Sequence, residues 1–126
     1  MILDTCFLVD LQREFRKGRP GRATHFLRSN AAITFSISVI SVIEFLEGFT
    51  DPSEGERLLR AYHRVDLDSV IASHAAIIRR QLRLEGKLIG DFDILIAATA
   101  LSVNEPLVTR NLTEFERVEG LNVIAY

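Results

Sequence analysis

Short apolar runs alternate along the chain with stretches whose apolar residues recur every three or four positions, and each change of period falls at a polar or breaker residue. Met1 to Leu3 is apolar and stops at Asp4-Thr5, after which Phe7, Leu8, Leu11 and Phe15 take helical spacing, so a strand leads into a helix. The breaker cluster "KGRPGRA" precedes a short helix predicted over Ala23 to Asn30, and "AITFSIS" has the β-branched and aromatic residues of a second strand. Val39 to Phe49 again predicts a helix. In "DPSEGERLLRAYHRV", Asp51 is a cap and Pro52 a first helical residue, ahead of an amphipathic pattern. Val65 to Leu67 predicts a third strand, and Asp68 or Ser69 caps a long helix that reaches Glu85 and stops at Gly86. Asp91 to Asn104 is the next helix, "PLVTR" a strand, "NLTEFERV" a helical turn and "NVIAY" a closing strand.

Strands alternating with helices throughout predict a central, mainly parallel sheet covered on both faces, a three-layer α/β/α domain spanning 1–126. In such folds functional groups gather beyond the carboxyl ends of the strands. The residues just after each strand are therefore the ones to weigh.

Length agrees with one domain, since 126 residues can bury a single core without staples. The one cysteine, Cys6, cannot close an internal disulfide, which points to a reducing compartment and excludes a cysteine-based zinc cage. "MILDTCFLVD" has no positive leader, and the apolar run Ile37 to Phe45 is interrupted by Ser38, Ser41 and Glu44. A soluble, cytoplasmic protein with no membrane partner is expected. The formal charge of −2 gives no global field for a polyanion, but six of the fifteen basic residues (Arg13, Arg16, Lys17, Arg19, Arg22 and Arg28) share one segment. That segment is either a solvated face or a phosphate-binding one, with Arg16, Lys17 and Arg19 its centre.

Four acids stand in apolar settings or near strand ends. Asp4 follows the first strand, where a helix cap would account for it. Glu44 lies in "VISVIEFLEG", where an ionised carboxylate needs a cation or donors, an arginine being the ordinary partner. In "DFDILIAA", Asp91 is the better cap, which leaves Asp93 inside the first turn of a helix that is almost wholly apolar. Glu114 follows the last long apolar strand, beside Phe115. Carboxylates gathered at one sheet edge repel one another unless something positive lies between them. Oxygen ligands without a His or Cys cluster suit magnesium or manganese, and magnesium beside phosphate suggests phosphodiester hydrolysis.

These pieces resemble PIN-domain ribonucleases, specifically the VapC toxins of bacterial and archaeal toxin–antitoxin pairs. The resemblance is carried by "LDT" at Leu3 to Thr5, "SVISVIEFLEG" at Ser38 to Gly48, "IGDFDILIAATAL" at Ile89 to Leu101 and "LVTRNLTEF" at Leu107 to Phe115. It implies a magnesium-dependent endoribonuclease (manganese being an alternative) that cuts transfer or ribosomal RNA, with Asp4, Glu44 and Asp93 as catalytic metal ligands. Some members of the family place an aspartate where Asn111 stands and others use the acid before the phenylalanine, here Glu114. Glu114 is the expected fourth ligand. Thr5, Ser38, Thr109 and Asn111 are implied as supporting groups that orient carboxylates or waters, with Asp91 a possible outer acid. The resemblance also implies a homodimer held inactive by a VapB-like antitoxin, for which Val39 to Phe49 and Glu54 to Tyr62 would wall a groove.

Two other readings compete. A degenerate PIN fold that only binds RNA or protein is kept open by Asn111, and metal binding separates it from the active form. A phosphoacceptor receiver domain shares the length and alternation, but Asp4 has no acidic neighbour and "NVIAY" ends without the lysine such domains need.

Overall fold

A computed structural model describes residues 1–126. Five short strands make one sheet in the order β3-β2-β1-β4-β5: β1 (Ile2–Leu3), β2 (Ser36–Ser38), β3 (His63–Val65), β4 (Leu107–Val108) and β5 (Val123–Ile124). Every pairing is parallel, with Ile2 opposite Ser36 and Leu107, and Leu3 opposite Ile37 and Val108. Neighbouring residues of a strand point to opposite faces. Ile2 and Leu107 accordingly enter one buried cluster, while Leu3, Ile37 and Val108 enter the other.

Helices cover both clusters. Helices α1 (Thr5–Lys17), α2 (Arg22–Ser29), α3 (Val39–Leu46) and α4 (Pro52–Leu59) bring Phe7, Leu8, Ala23, Phe45 and Leu59 to the second. Helices α5 (Ser69–Leu84), α6 (Asp91–Ser102) and α7 (Leu112–Phe115) bring Ile71, Ile78, Leu82, Ile94, Ile96 and Phe115 to the first. The expected three layers are present. Within α6, Ile94 and every residue from Ile96 to Ala100 are buried, so the helix is enclosed on nearly all sides and its alanines let neighbours approach closely.

Several helix signals hold. Asp51 caps α4 through the Ser53 amide with Pro52 in the first turn, and Asp68 caps α5 through the Ile71 amide. Two expectations change. The third strand lies two residues earlier than predicted, because Ser36, Ile37 and Ser38 pair with His63, Arg64 and Val65, while Leu67 stands 44% exposed beyond the sheet. The Asp91 carboxylate does not cap α6: Gly90 occupies the cap position without a side-chain bond, and Asp91 reaches across to Arg79 of α5, 2.9 Å away. An exposed acid in the first turn still suits the helix dipole, but its bonded partner is a guanidinium.

The strand order reverses between β1 and β4, since β2 and β3 extend to one side of β1 and β4 and β5 to the other. Crossover connections leave this switch point on opposite faces, which opens a crevice beyond the carboxyl ends of β1 and β4.

Candidate active site

Asp4 and Thr109 stand at that crevice. Asp4 is the residue after β1 and continues the ladder by donating its amide to Val108 O, while Thr109 follows β4 and donates its amide to Ile124 O. Asp4 is only 3% exposed, and its carboxylate is held from three directions. Oδ1 accepts the Thr5 amide at 2.7 Å, and Oδ2 accepts the Thr109 hydroxyl at 2.6 Å and the Cys6 thiol at 3.0 Å. Asp4 is thus both the cap of α1 and a buried acid aimed to one position.

Glu44 projects from α3, which starts at the carboxyl end of β2 under the Ser38 cap. It has no arginine partner. Its Oε2 accepts the Thr5 hydroxyl, so Thr5 links the first strand end to the α3 acid through its amide and side chain. Burial pushes the Glu44 carboxyl up; the Thr5 bond pulls the other way, and the charges of Asp4 and Glu47 push up again. Ser38 takes no part in holding an acid. Its hydroxyl accepts the Ile40 amide and meets the Thr99 hydroxyl of α6 at 3.3 Å, joining α3 to α6 beneath the site.

Asp93 lies in the first turn of α6, half-buried, and is pushed up to about 7 by burial first and then by Asp4, Glu114 and Glu44. Its contact with the Glu114 carboxyl adds to the rise, because two carboxyl groups share a bond only when one holds a proton. Gly90 makes room for it: a β-carbon there would come within 3.1 Å of Asp93 Oδ2, and φ of −58° puts no other demand for glycine at this position. Asp93 is therefore within electrostatic reach of Asp4, Glu44 and Glu114, and Glu44 within reach of Asp4. None of the four takes part in any of the chain's ion pairs.

No three Asp, Glu, His or Cys side chains close into a ready-made metal cage. The acids are neighbours without being a finished coordination shell. Asn111, exposed and carrying no side-chain cap bond, donates its amide to Thr109 Oγ1 and so braces the threonine that holds Asp4. Asp91 stays outside this group on its Arg79 pair. Arg16, Lys17 and Arg19 lie at and beyond the far end of α1, which from Thr5 to Lys17 is roughly 18 Å long. They are not beside the acids: Arg16 sits over the Phe49 ring, and Arg19 lines a separate cleft.

Sequence reasoning missed Cys6 and Gly90 as site residues. The signal for Cys6 is its place two residues after Asp4, in the first turn of a helix. For Gly90 the signal was a glycine three residues before an acid.

The fold and site define a parallel α/β protein with carboxylates free of ion pairs at its switch-point crevice, and comparison with known proteins narrows the class. The PIN domain family model matches residues 1–121. Ribonuclease VapC1 of Methanocaldococcus jannaschii is 35% identical over 100% of this chain and 86% of its own length. The tRNA(fMet)-specific endonuclease VapC of Shigella flexneri is 36% identical over 68% of this chain and 70% of its own. Among solved structures, DNA-bound VapBC from Salmonella typhimurium superposes with a TM-score of 0.85 at 27% identity, covering 98% of this chain and 96% of that one. VapBC2 from Rickettsia felis, bound to a promoter DNA fragment, gives 0.83 at 26% identity over 99% and 97%. The chain belongs to the PIN domain family, and within it to the VapC ribonucleases.

Proposed function

We propose that this chain is the toxin of a VapBC-type pair, a cytoplasmic endoribonuclease that hydrolyses phosphodiester bonds in transfer or ribosomal RNA with Mg²⁺, or Mn²⁺ in its place. The observation that carries the reading is the acid group around Asp93, which is half-buried in the first turn of α6, takes part in no ion pair, and is pushed up to about 7 by burial first and then by Asp4, Glu114 and Glu44. The donor set fits magnesium, which takes a few carboxylate oxygens and fills its remaining positions with water and substrate phosphate. Asp4 and Asp93 would hold the ion directly, with Glu44 and Glu114 completing its surroundings. When bound, the ion polarises an attacking water and balances charge on the phosphate. Asp4, locked by Thr5, Thr109 and Cys6, pre-orients one ligand. Glu44, bonded by Thr5, and Glu114, beside Asp93, are placed to accept the proton of the attacking water. No side chain serves as nucleophile.

A partner reading follows from a concavity that is not at the acids. A cleft of about 510 Å³ lies between α1, α2, α3 and α4, lined by Leu11, Phe15, Phe45, Leu58 and Tyr62, with Arg19 and Arg28 among its polar residues. Its apolar walls and arginines suit an amphipathic, acidic segment of a VapB-like antitoxin. On α5 the exposed Val70, Ile77 and Leu84 recur every seventh residue, a stripe that supports a homodimer. No helix is long and apolar enough to cross a membrane.

The test is cleavage of labelled transfer and ribosomal RNA by wild type and Asp93→Asn, each with Mg²⁺ and with EDTA. Cleavage in the wild-type Mg²⁺ arm alone supports the reading, with Asp93→Asn slower by at least about a hundredfold. Equal cleavage in all four arms removes it.

A further inference from the structure

We propose that Arg110, the residue after Thr109, is a phosphate-binding residue at the rim of the RNA site, its guanidinium held by Asp10, which Tyr126 braces. The inference rests on the ribonuclease reading and assigns part of its substrate contact. A cluster of carboxylates repels a polyanion, so RNA must be gripped by cations near enough to offset that repulsion and far enough out to leave the acids free. Arg16, Lys17 and Arg19 are roughly 18 Å along α1 and reach only phosphates several nucleotides from the reacting one.

Arg110 is placed differently. It stands between Thr109, whose hydroxyl donates to Asp4 Oδ2, and Asn111, whose amide donates back to Thr109 Oγ1. Its backbone is therefore pinned on both sides at the carboxyl end of β4, one residue from the site. The side chain is 49% exposed and forms an ion pair with Asp10 Oδ2 from α1. The same Asp10 oxygen accepts the Tyr126 hydroxyl at 3.0 Å, and the Tyr126 ring is seated against Phe7 with centroids 4.6 Å apart. The arm is thus anchored in the core while its head faces solvent.

A brace between β4 and α1 would account for the pair alone, but the chemistry leaves more. Only Nη1 meets Asp10, so Nε and Nη2 of the guanidinium remain available as donors. A planar fork with free N–H groups matches the paired oxygens of a phosphodiester. Arg13 approaches the other Asp10 oxygen at 3.5 Å, adding a second cation to the same rim.

The experiment measures binding of fluorescein-labelled transfer RNA by anisotropy over a KCl series, in the Asp93→Asn chain so that cleavage does not intervene. Arg110→Gln, which keeps a donor for Asp10 and removes the charge, is expected to weaken binding about five- to tenfold and to reduce the salt slope by about one. Arg110→Lys should restore the slope but only part of the affinity. Arg60→Ala, an equal charge loss at a residue preceding β3 and so on the amino side of that strand, should change neither. An unchanged affinity and slope for Arg110→Gln overturns the proposal, as does a lower melting temperature with the slope intact. If the Asp93→Asn parent binds no RNA and the wild type cuts none, the ribonuclease reading fails as well. If wild type cuts RNA and Arg110→Gln behaves as its parent, the Arg110 assignment fails alone.

Discussion

Two acids in this molecule lie against glycines at helix starts and meet opposite fates. Gly21 heads α2 and Gly90 heads α6, and neither contributes a side-chain cap. A β-carbon at Gly21 would come within 2.5 Å of Glu14 Oε1, and one at Gly90 within 3.1 Å of Asp93 Oδ2. Glu14 reaches from α1 to supply the missing cap of α2, accepting the Ala23 and Thr24 amides and the Thr24 hydroxyl. Burial pushes its carboxyl up, yet the bonds from Thr24, Gly21 and Ala23 outweigh that and hold it below the usual glutamate range. Asp93 is pushed up to about 7 by burial first and then by its acidic neighbours. Glu14 is a brace that the fold supplies with donors, whereas Asp93 is half-buried among other acids with no ion-pair partner.

The largest expected effects separate the two acids by sign. Glu14→Ala should cost about 2 kcal/mol, since the two α2 amides lose charged acceptors, and lower the melting temperature by roughly 6–8 °C. Asp93→Asn should do the reverse in metal-free protein at neutral pH. The full shift would be worth more, but Asp93 is half-buried and solvent screens it, so a gain of about 1–2 kcal/mol is expected. Differential scanning calorimetry of both variants in EDTA checks the pair.

The pH dependence sharpens the contrast. Asp93 binds its proton more tightly folded than unfolded, so its ionisation lowers stability as pH rises from about 4 to about 7. The stability difference between Asp93→Asn and wild type should therefore grow across that window and vanish below it. Glu14, shifted the other way, contributes stability above the ordinary glutamate range that is lost as pH falls through its depressed value. Its variant should converge on wild type only in strong acid. Denaturant unfolding at a series of pH values reads both trends.

Smaller effects are expected at the glycines. Gly90→Ala should lower RNA cleavage about three- to tenfold by displacing Asp93 Oδ2, with the melting temperature almost unchanged. Gly21→Ala should cost about 1 kcal/mol by pushing Glu14 from its amides and leave cleavage per folded molecule as it was. Steady-state cleavage alongside thermal melts distinguishes the two, and a cleavage loss in Gly21→Ala would break the comparison.

The legibility of these features in the sequence follows the range of the interactions involved. Asp51 before Pro52, and Asp68 before a long amphipathic run, announce helix starts because a cap bonds only two or three residues away. Asp4, Glu44, Asp93 and Glu114 stand out because each is an acid beside a strand end or among apolar residues, and the fold places the other three within electrostatic reach of Asp93. Glu14 carried no such sign. Its partners are nine and ten residues on, and they become partners only after the chain turns at Gly18, where φ is +61°. Asp91 differs from its expected capping role for a related reason: sequence spacing shows the α6 amides nearby but not Arg79 arriving from α5. The β3 shift is similar, since pairing with Ser36 to Ser38, and not local pattern, decides where that strand lies.

The central claim is that Asp93 is left uncompensated because a divalent cation is its partner. Titration calorimetry of Mn²⁺ into EDTA-stripped wild type, Asp93→Asn and Glu14→Gln at pH 7.5 tests it most directly. Wild type and Glu14→Gln should bind with the same affinity, and Asp93→Asn at least about tenfold more weakly. Equal binding by wild type and Asp93→Asn, or no binding by wild type, would contradict the account.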